Sequence, residues 1–379
     1  MKLKTAASKS ACLAAALFCT VYAACLLAFP AEMSTGVREG LSLCGETLIP
    51  SLLPFLILSG FFSLSGPARA AEKLFGPVVK RLFHLPGCAA VPVLMSTLGG
   101  YPVAARSAAV LMKNGALSAR DVQRLLCFCV NAGPAFLVGA VGAGMFHSPG
   151  IGMLLLASQM ISSLVIGVFL GFGQRPEKGK ADVKTLPYSQ ALVSAVEQGV
   201  SGMLGICGFV LLFSSLTALW KVIGVPELLA DRFPQADQNA LFSLYTGFWE
   251  VTTGCREAVK AKGVTGVFLA AFLVSFSGVS VLFQVISLFP AKTVSFRPFV
   301  LSRLFHGLLT CAFAAVLLCL SPQPAEVFLP AGGGSPAGVS HSPLLSCVML
   351  LLCASVLTGS GLKKGVFSRR LYLQTGRRF

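Results

Sequence analysis

Arg106 and Glu250 are charged side chains set in apolar sequence, each beside a string that no regular helix can follow. Arg106 lies four residues past Pro102 in Gly99-Gly100-Tyr101-Pro102, inside the apolar run Cys88 to Met112. Glu250 lies in Thr246-Gly247-Phe248-Trp249-Glu250-Val251-Thr252-Thr253-Gly254. A guanidinium fork can hold a carboxylate through two parallel N–H bonds. At membrane depth such a cation lines a cavity or pairs with an acid, because a bare one costs about 2.5–3.5 kcal/mol on insertion scales. Glu250 reads equally as a proton or cation site and as a structural partner for Arg106 or Arg256. Tyr101, Phe248 and Trp249 could stack on an aromatic ring, or pack at the interface or in the core.

The elements that must position these residues are broken helices. Paired glycines and proline cannot continue a helix, since glycine costs backbone entropy and proline lacks the N–H. Gly99–Pro102 is one such break, and Asn131-Ala132-Gly133-Pro134 is a second. Free backbone groups in hydrocarbon are tolerated only where they face protein or water. Breaks this close therefore read as half-helices converging on a polar site, the construction many secondary transporters use for a substrate pocket. The half-helix N-termini after Pro54, Pro134 and Gly278 would aim backbone N–H groups at an anion. The plainer alternative is a pair of proline kinks packed toward lipid.

Composition fixes the class. Of 379 residues, 55% are hydrophobic and 12% charged, with mean hydropathy +0.80. A soluble chain carries about 25% charged residues, so this is an integral membrane protein. The net charge of +16 comes from 30 Lys and Arg against 14 Asp and Glu. These basic residues lie in short loops and tails between apolar runs, the positive-inside pattern, and imply no nucleic acid. The 13 cysteines include no CxxC pair, and the four histidines show no ligand spacing. Neither a metal site nor another cofactor is expected. No Ser/His/Asp, HExxH or paired acidic constellation stands near an apolar boundary, so the chain is not read as an enzyme.

Along the chain, residues 1–30 read as an uncleaved transmembrane anchor with a cytoplasmic N-terminus. Thr35 to Leu48, the prolines Pro50 and Pro54, and apolar Phe55 to Leu64 suggest a re-entrant hairpin. Pro67 to His84 suits a helix lying in the interface. Ser118 followed by Asp121 fits a helix N-cap, and Gly150 to Phe172 reads as a plain span. Residues 173–187 form a hydrophilic linker, after which the chain starts again. Thr246–Gly254, with its break at Gly247–Glu250, sits where Gly99–Pro102 sat, and Phe272–Ser280 where Phe128–Pro134 sat, at an offset of about 145 residues both times. Two repeats, 41–172 and 189–320, are therefore expected about a pseudo-two-fold axis. A C-terminal transmembrane helix over 344–361 and a basic cytoplasmic tail over 362–379 complete the expected chain, with an even number of crossings.

The strings Ile49-Pro50-Ser51-Leu52-Leu53-Pro54-Phe55, Gly99-Gly100-Tyr101-Pro102-Val103, Arg124-Leu125-Leu126-Cys127-Phe128 and Gly247-Phe248-Trp249-Glu250-Val251-Thr252-Thr253-Gly254 are together specific. In that order, over roughly Leu41 to Phe305, the chain resembles the sporulation integral membrane protein YlbJ (SpoVV) family. Two positions depart from that pattern. Asn131-Ala132-Gly133-Pro134 replaces a more polar stretch, and Arg106 stands where lysine is more usual. Both departures keep the break and the cation. The resemblance implies the nucleoside-recognition or Gate-domain group and an all-α polytopic membrane fold. Its two repeated halves would carry discontinuous helices and re-entrant hairpins, similar to concentrative nucleoside transporters. It implies transport of dipicolinic acid out of the mother cell towards the forespore, in a multi-pass bacterial cell membrane, the outer forespore membrane of a sporulating organism. The alternatives are another small-solute or nucleoside-like permease, or a non-transporting scaffold needed for spore maturation. The expected partners are a small anionic substrate and the bilayer, with homo-oligomerisation left open. The expected substrate-binding residues are Ser51, Gly99, Gly100, Tyr101, Arg106, Asn131, Gly133, Phe248, Glu250, Thr252, Ser275, Ser277 and Gly278.

Overall fold

The computed structural model describes residues 2–174, 185–290 and 293–320, with side chains from residue 13 onward. The centre of the expected linker, the 344–361 helix and the 362–379 tail lie outside the described residues. Every regular element described is helical. Among the described residues five helices are long and apolar enough to cross a membrane, or six if one sharply bent pair counts as a span.

Helix α1 spans Lys2–Ala28, and its described apolar part is Leu13–Ala28. After Phe29 come α2 (Pro30–Ser42), a π-helical segment (Leu43–Leu48) and α3 (Ile49–Leu64). These three run on as one 35-residue candidate span, Pro30–Leu64. The hairpin expected around Pro50 and Pro54 is therefore not formed, and no half-helix starts after Pro54. Pro50 falls in the first turn of α3, where its missing N–H is least costly. The wider π-helical turn just before α3 contains Glu46, whose carbonyl Pro50 would otherwise crowd, whereas Pro54 sits inside α3.

The amphipathic α4 (Gly66–Leu82) follows, and the chain then bends by 105° into the segment Gly87–Leu98, whose main helix is α5 (Ala90–Leu98). Next are α6 (Tyr101–Lys113) and α7 (Ala119–Cys129). Ser118 caps α7 as expected, accepting from Asp121 N at 3.1 Å. Beyond the second break lie a π-helical stretch (Ala135–Met145) and α8 (Pro149–Gly171).

In the second part α9 (Tyr188–Val222) is a 35-residue helix. It packs antiparallel to α2 and α3, with glycine at the closest approaches. A Cβ on Gly60 would stand 3.4 Å from Ala195, and one on Gly40 3.0 Å from Ser214 Oγ. Small residues let membrane helices approach this closely. Then come α10 (Val225–Arg232), α11 (Gln238–Trp249), α12 (Val251–Ala258), α13 (Thr265–Phe276), α14 (Gly278–Ser287) and α15 (Arg297–Leu320).

Candidate functional site

All four expected breaks are present, and they meet in pairs. Gly100 has φ +79°, open to glycine at little cost, and separates α5 from α6. A Cβ on Gly133 would lie 3.0 Å from Gly100 N and 3.3 Å from Leu98 O, so the first two breaks touch backbone to backbone. In the second part Ser277 and Gly278 hold φ +78° and +72° between α13 and α14. A Cβ on Gly278 would lie 3.0 Å from Gly247 O and 3.2 Å from Val251 N.

The two pairs face one central cavity of about 620 Å³, partly open to the outside. Gly99, Gly100, Tyr101, Gly133, Glu250 and Thr252 line it, together with Ser280 and Gln284 of α14. Six of the expected site residues are thus brought together. Arg106 is not among them. It lines a neighbouring cavity of about 740 Å³ between α3, α5, α6 and α9, whose walls include Leu56, Val91 and Leu111. Pro102 belongs to both linings.

Arg106 and Glu250 form no ion pair, contrary to their expected adjacency. Arg106 Nη1 donates to Gln198 O at 3.5 Å. Glu250 is 3% exposed and caps α12. Its Oε1 accepts from Thr252 N at 2.9 Å, and its Oε2 from Thr253 N at 2.7 Å and Thr253 Oγ1 at 2.8 Å. Arg256, the other partner considered, pairs with Glu39 at 3.1 Å. The local reason is that Glu250 sits at the N-terminus of a helix whose orphan N–H groups attract a carboxylate.

The other expected residues hold the breaks in shape. Tyr101 turns its hydroxyl to Val274 O at 2.5 Å, a carbonyl that also accepts from Gln159 Nε2 at 3.0 Å. Asn131 Nδ2 donates to Phe128 O at 2.9 Å and Ser163 Oγ at 3.0 Å. Ser275 and Thr310 hydroxyls lie 2.8 Å apart, and Ser277 donates to Ser275 O at 3.3 Å. Ser51 donates to Thr47 O at 2.6 Å, back into the preceding π-helical turn. Phe248 is 47% exposed and stacks on Phe276 with centroids 5.9 Å apart. None of these last five residues lines either cavity.

The sequence reading did not single out Gln159, Ser280, Gln284, Arg303 or His306. Arg303 and His306 are fully buried in α15, and His306 Nε2 meets Gln159 O at 3.3 Å. The rule that drew attention to Arg106, an ionisable group in an apolar run, applies equally to Phe299–Leu320 and would have found both. At the edge of the helices, Glu257 bonds Lys260 at 2.7 Å and Lys221 at 3.2 Å. Burial pushes its carboxyl up, but these ammonium groups outweigh burial and hold it below the usual range. Among the described residues no group of three or more His, Cys, Asp and Glu could hold a metal ion.

Several spanning helices, glycine-packed contacts and four helix interruptions buried around a central cavity define a multi-pass α-helical integral membrane protein. Over 340 residues the chain is 26% identical to the sporulation integral membrane protein YlbJ of Bacillus subtilis, covering 82% of this chain and 83% of that one. The similarity to that sporulation integral membrane protein runs along most of both chains. No protein-family model and no solved structure matches it.

Proposed function

We propose that the protein carries a small anionic solute across the membrane, and that dipicolinic acid, moved from the mother cell towards the forespore, is that solute. The observation that carries this reading is the meeting of four helix breaks at one central cavity with a half-buried cation next door. In this reading Arg106 holds a carboxylate against the apolar walls of its own cavity. The central cavity, with Tyr101 and Phe136 on its wall, takes the ring as the solute passes Pro102. The similarity to a sporulation integral membrane protein suits this setting.

The reading includes two repeated, Gate-like halves, with a plan similar to concentrative nucleoside transporters. Its support is an offset close to 147 residues. It separates Gly100 from Gly247, Cys127 from Val274 and Gln159 from His306. The carbonyls of Cys127 and Val274 each end a broken helix, and each is held by side chains of the other half, Arg303 in one case and Tyr101 with Gln159 in the other. Gln159 and His306 touch one another, as counterparts on a two-fold axis do. The antiparallel course of α9 against α2 and α3 suits an axis lying across the helices, as in inverted repeats.

Uptake of radiolabelled dipicolinate into proteoliposomes tests the function. Saturable uptake above protein-free vesicles is expected. Uptake of a nucleoside instead would move the substrate class, and uptake of neither would leave a scaffold.

A further inference from the structure

Arg303 heads the largest fully buried side chains, and the solute path just described does not use it. It belongs to α15, yet its guanidinium reaches the broken end of α7. Nη1 donates to Val130 O at 2.6 Å, and Nη2 donates to Cys127 O. The ring of Phe299 covers the group, 5.3 Å from centroid to guanidinium carbon. Among the described residues no carboxylate forms an ion pair with it.

The counter-charge is therefore the helix end. An interrupted helix leaves its last carbonyls without partners and gathers about half a negative charge there. The matching end of α13 is served by neutral donors alone, Tyr101 and Gln159. Of these two ends, that of α7 alone holds a full cation. Unwound carbonyls and half-helix C-termini are the groups with which secondary transporters bind a coupling Na⁺. Here two of those carbonyls are already spent on a positive charge tethered to the chain. Asn131 Oδ1, one residue beyond Val130, is buried without a partner and adds a further acceptor beside them.

We propose that Arg303 is a resident cation occupying the place of a coupling metal ion at the end of α7, so that solute movement needs no Na⁺. The consequence for transport rests on the transporter reading above, whereas the occupancy itself can be tested without transport. A tethered cation cannot leave with the solute, so this position stays charge-balanced through the whole cycle. Removing the side chain should expose a site for a small cation lined by carbonyl oxygens.

The test is the melting temperature of the purified full chain in nanodiscs, in NaCl and in choline chloride at equal ionic strength, with and without millimolar methylguanidinium. The wild type should melt at the same temperature in both salts. Arg303→Ala should melt several degrees lower, regain part of the loss with methylguanidinium in a saturable way, and gain a preference for Na⁺ that the wild type lacks. A wild type stabilised by Na⁺ over choline would overturn the proposal. So would an Arg303→Ala protein that answers to neither cation. If Arg303→Ala yields no folded protein, Arg303→Lys decides. A folded lysine variant indifferent to Na⁺ supports the resident cation, and one stabilised by Na⁺ contradicts it. Because melting requires no solute movement, these results are separable from failure of the transporter reading. That failure would appear as absent dipicolinate uptake by the wild type in either salt.

Discussion

Replacing Arg106 and Glu250 by glutamine, singly and together, separates two accounts of the same pair of charges. If they neutralised each other, the double variant would recover what each single variant loses. The structure predicts otherwise, since the two line different cavities and share no partner. Glu250→Gln keeps one oxygen for two backbone N–H groups, Thr252 and Thr253, and turns an amide donor toward the other. Leaving one buried N–H unpaired costs about 1–3 kcal/mol. Arg106→Gln removes a half-buried cation with a single long bond to Gln198 O, so its effect on stability should be under about 0.5 kcal/mol in loss, or a gain. Without shared partners the two effects should add to within about 0.5 kcal/mol. Unfolding of purified protein in detergent gives the four stabilities, and dipicolinate uptake by the same preparations gives the functional arm. Uptake should be lost in Arg106→Gln at normal abundance and stay lost in the double variant. A coupling energy above about 1 kcal/mol, or uptake restored in the double variant, would refute the separation of the two sites.

Three further outcomes follow from particular contacts. Gly133→Ala puts a methyl 3.0 Å from Gly100 N, and should cost about 1–3 kcal/mol by overpacking and slow uptake, read from melting and flux together. Thr310→Val removes a hydroxyl that bonds both Ser162 at 2.7 Å and Ser275 at 2.8 Å, and should cost about 1–3 kcal/mol in denaturant unfolding. Asp237 accepts from Lys262 N at 2.8 Å and from the first N–H groups of α11, which hold its carboxyl below its ordinary 3.8. Its contribution to stability should be complete above that value and vanish as pH falls below it through the folded pKa, and Asp237→Asn should remove this acid-side slope.

The breaks were legible because glycine and proline carry their backbone consequences in their own chemistry, wherever the chain places them. Gly100, Gly133, Ser277 and Gly278 all fall at the ends of half-helices. Pro50 and Pro54 were misread as a hairpin because proline is harmless in a helix's first turn and tolerated inside a membrane helix packed by its neighbours, and hydropathy carries no sign of that. The pairing of Arg106 with Glu250 was inferred from position alone. What decided against it was local, a carboxylate two and three residues before free N–H groups. Gln159 and Ser280 were hidden for a different reason. Each is an uncharged polar residue in an apolar span, and only packing across the two halves gives it a partner or a cavity.

The most direct test of the central cavity uses Ser280, buried in its wall with no bonded partner for its hydroxyl. Ser280→Cys in a background free of other cysteines would be exposed to a membrane-impermeant maleimide from each side in turn, with and without dipicolinate. Labelling from both sides, slowed by dipicolinate, is the predicted result. A thiol that reacts from neither side, or at a rate dipicolinate leaves unchanged, would contradict a solute site where the four breaks meet.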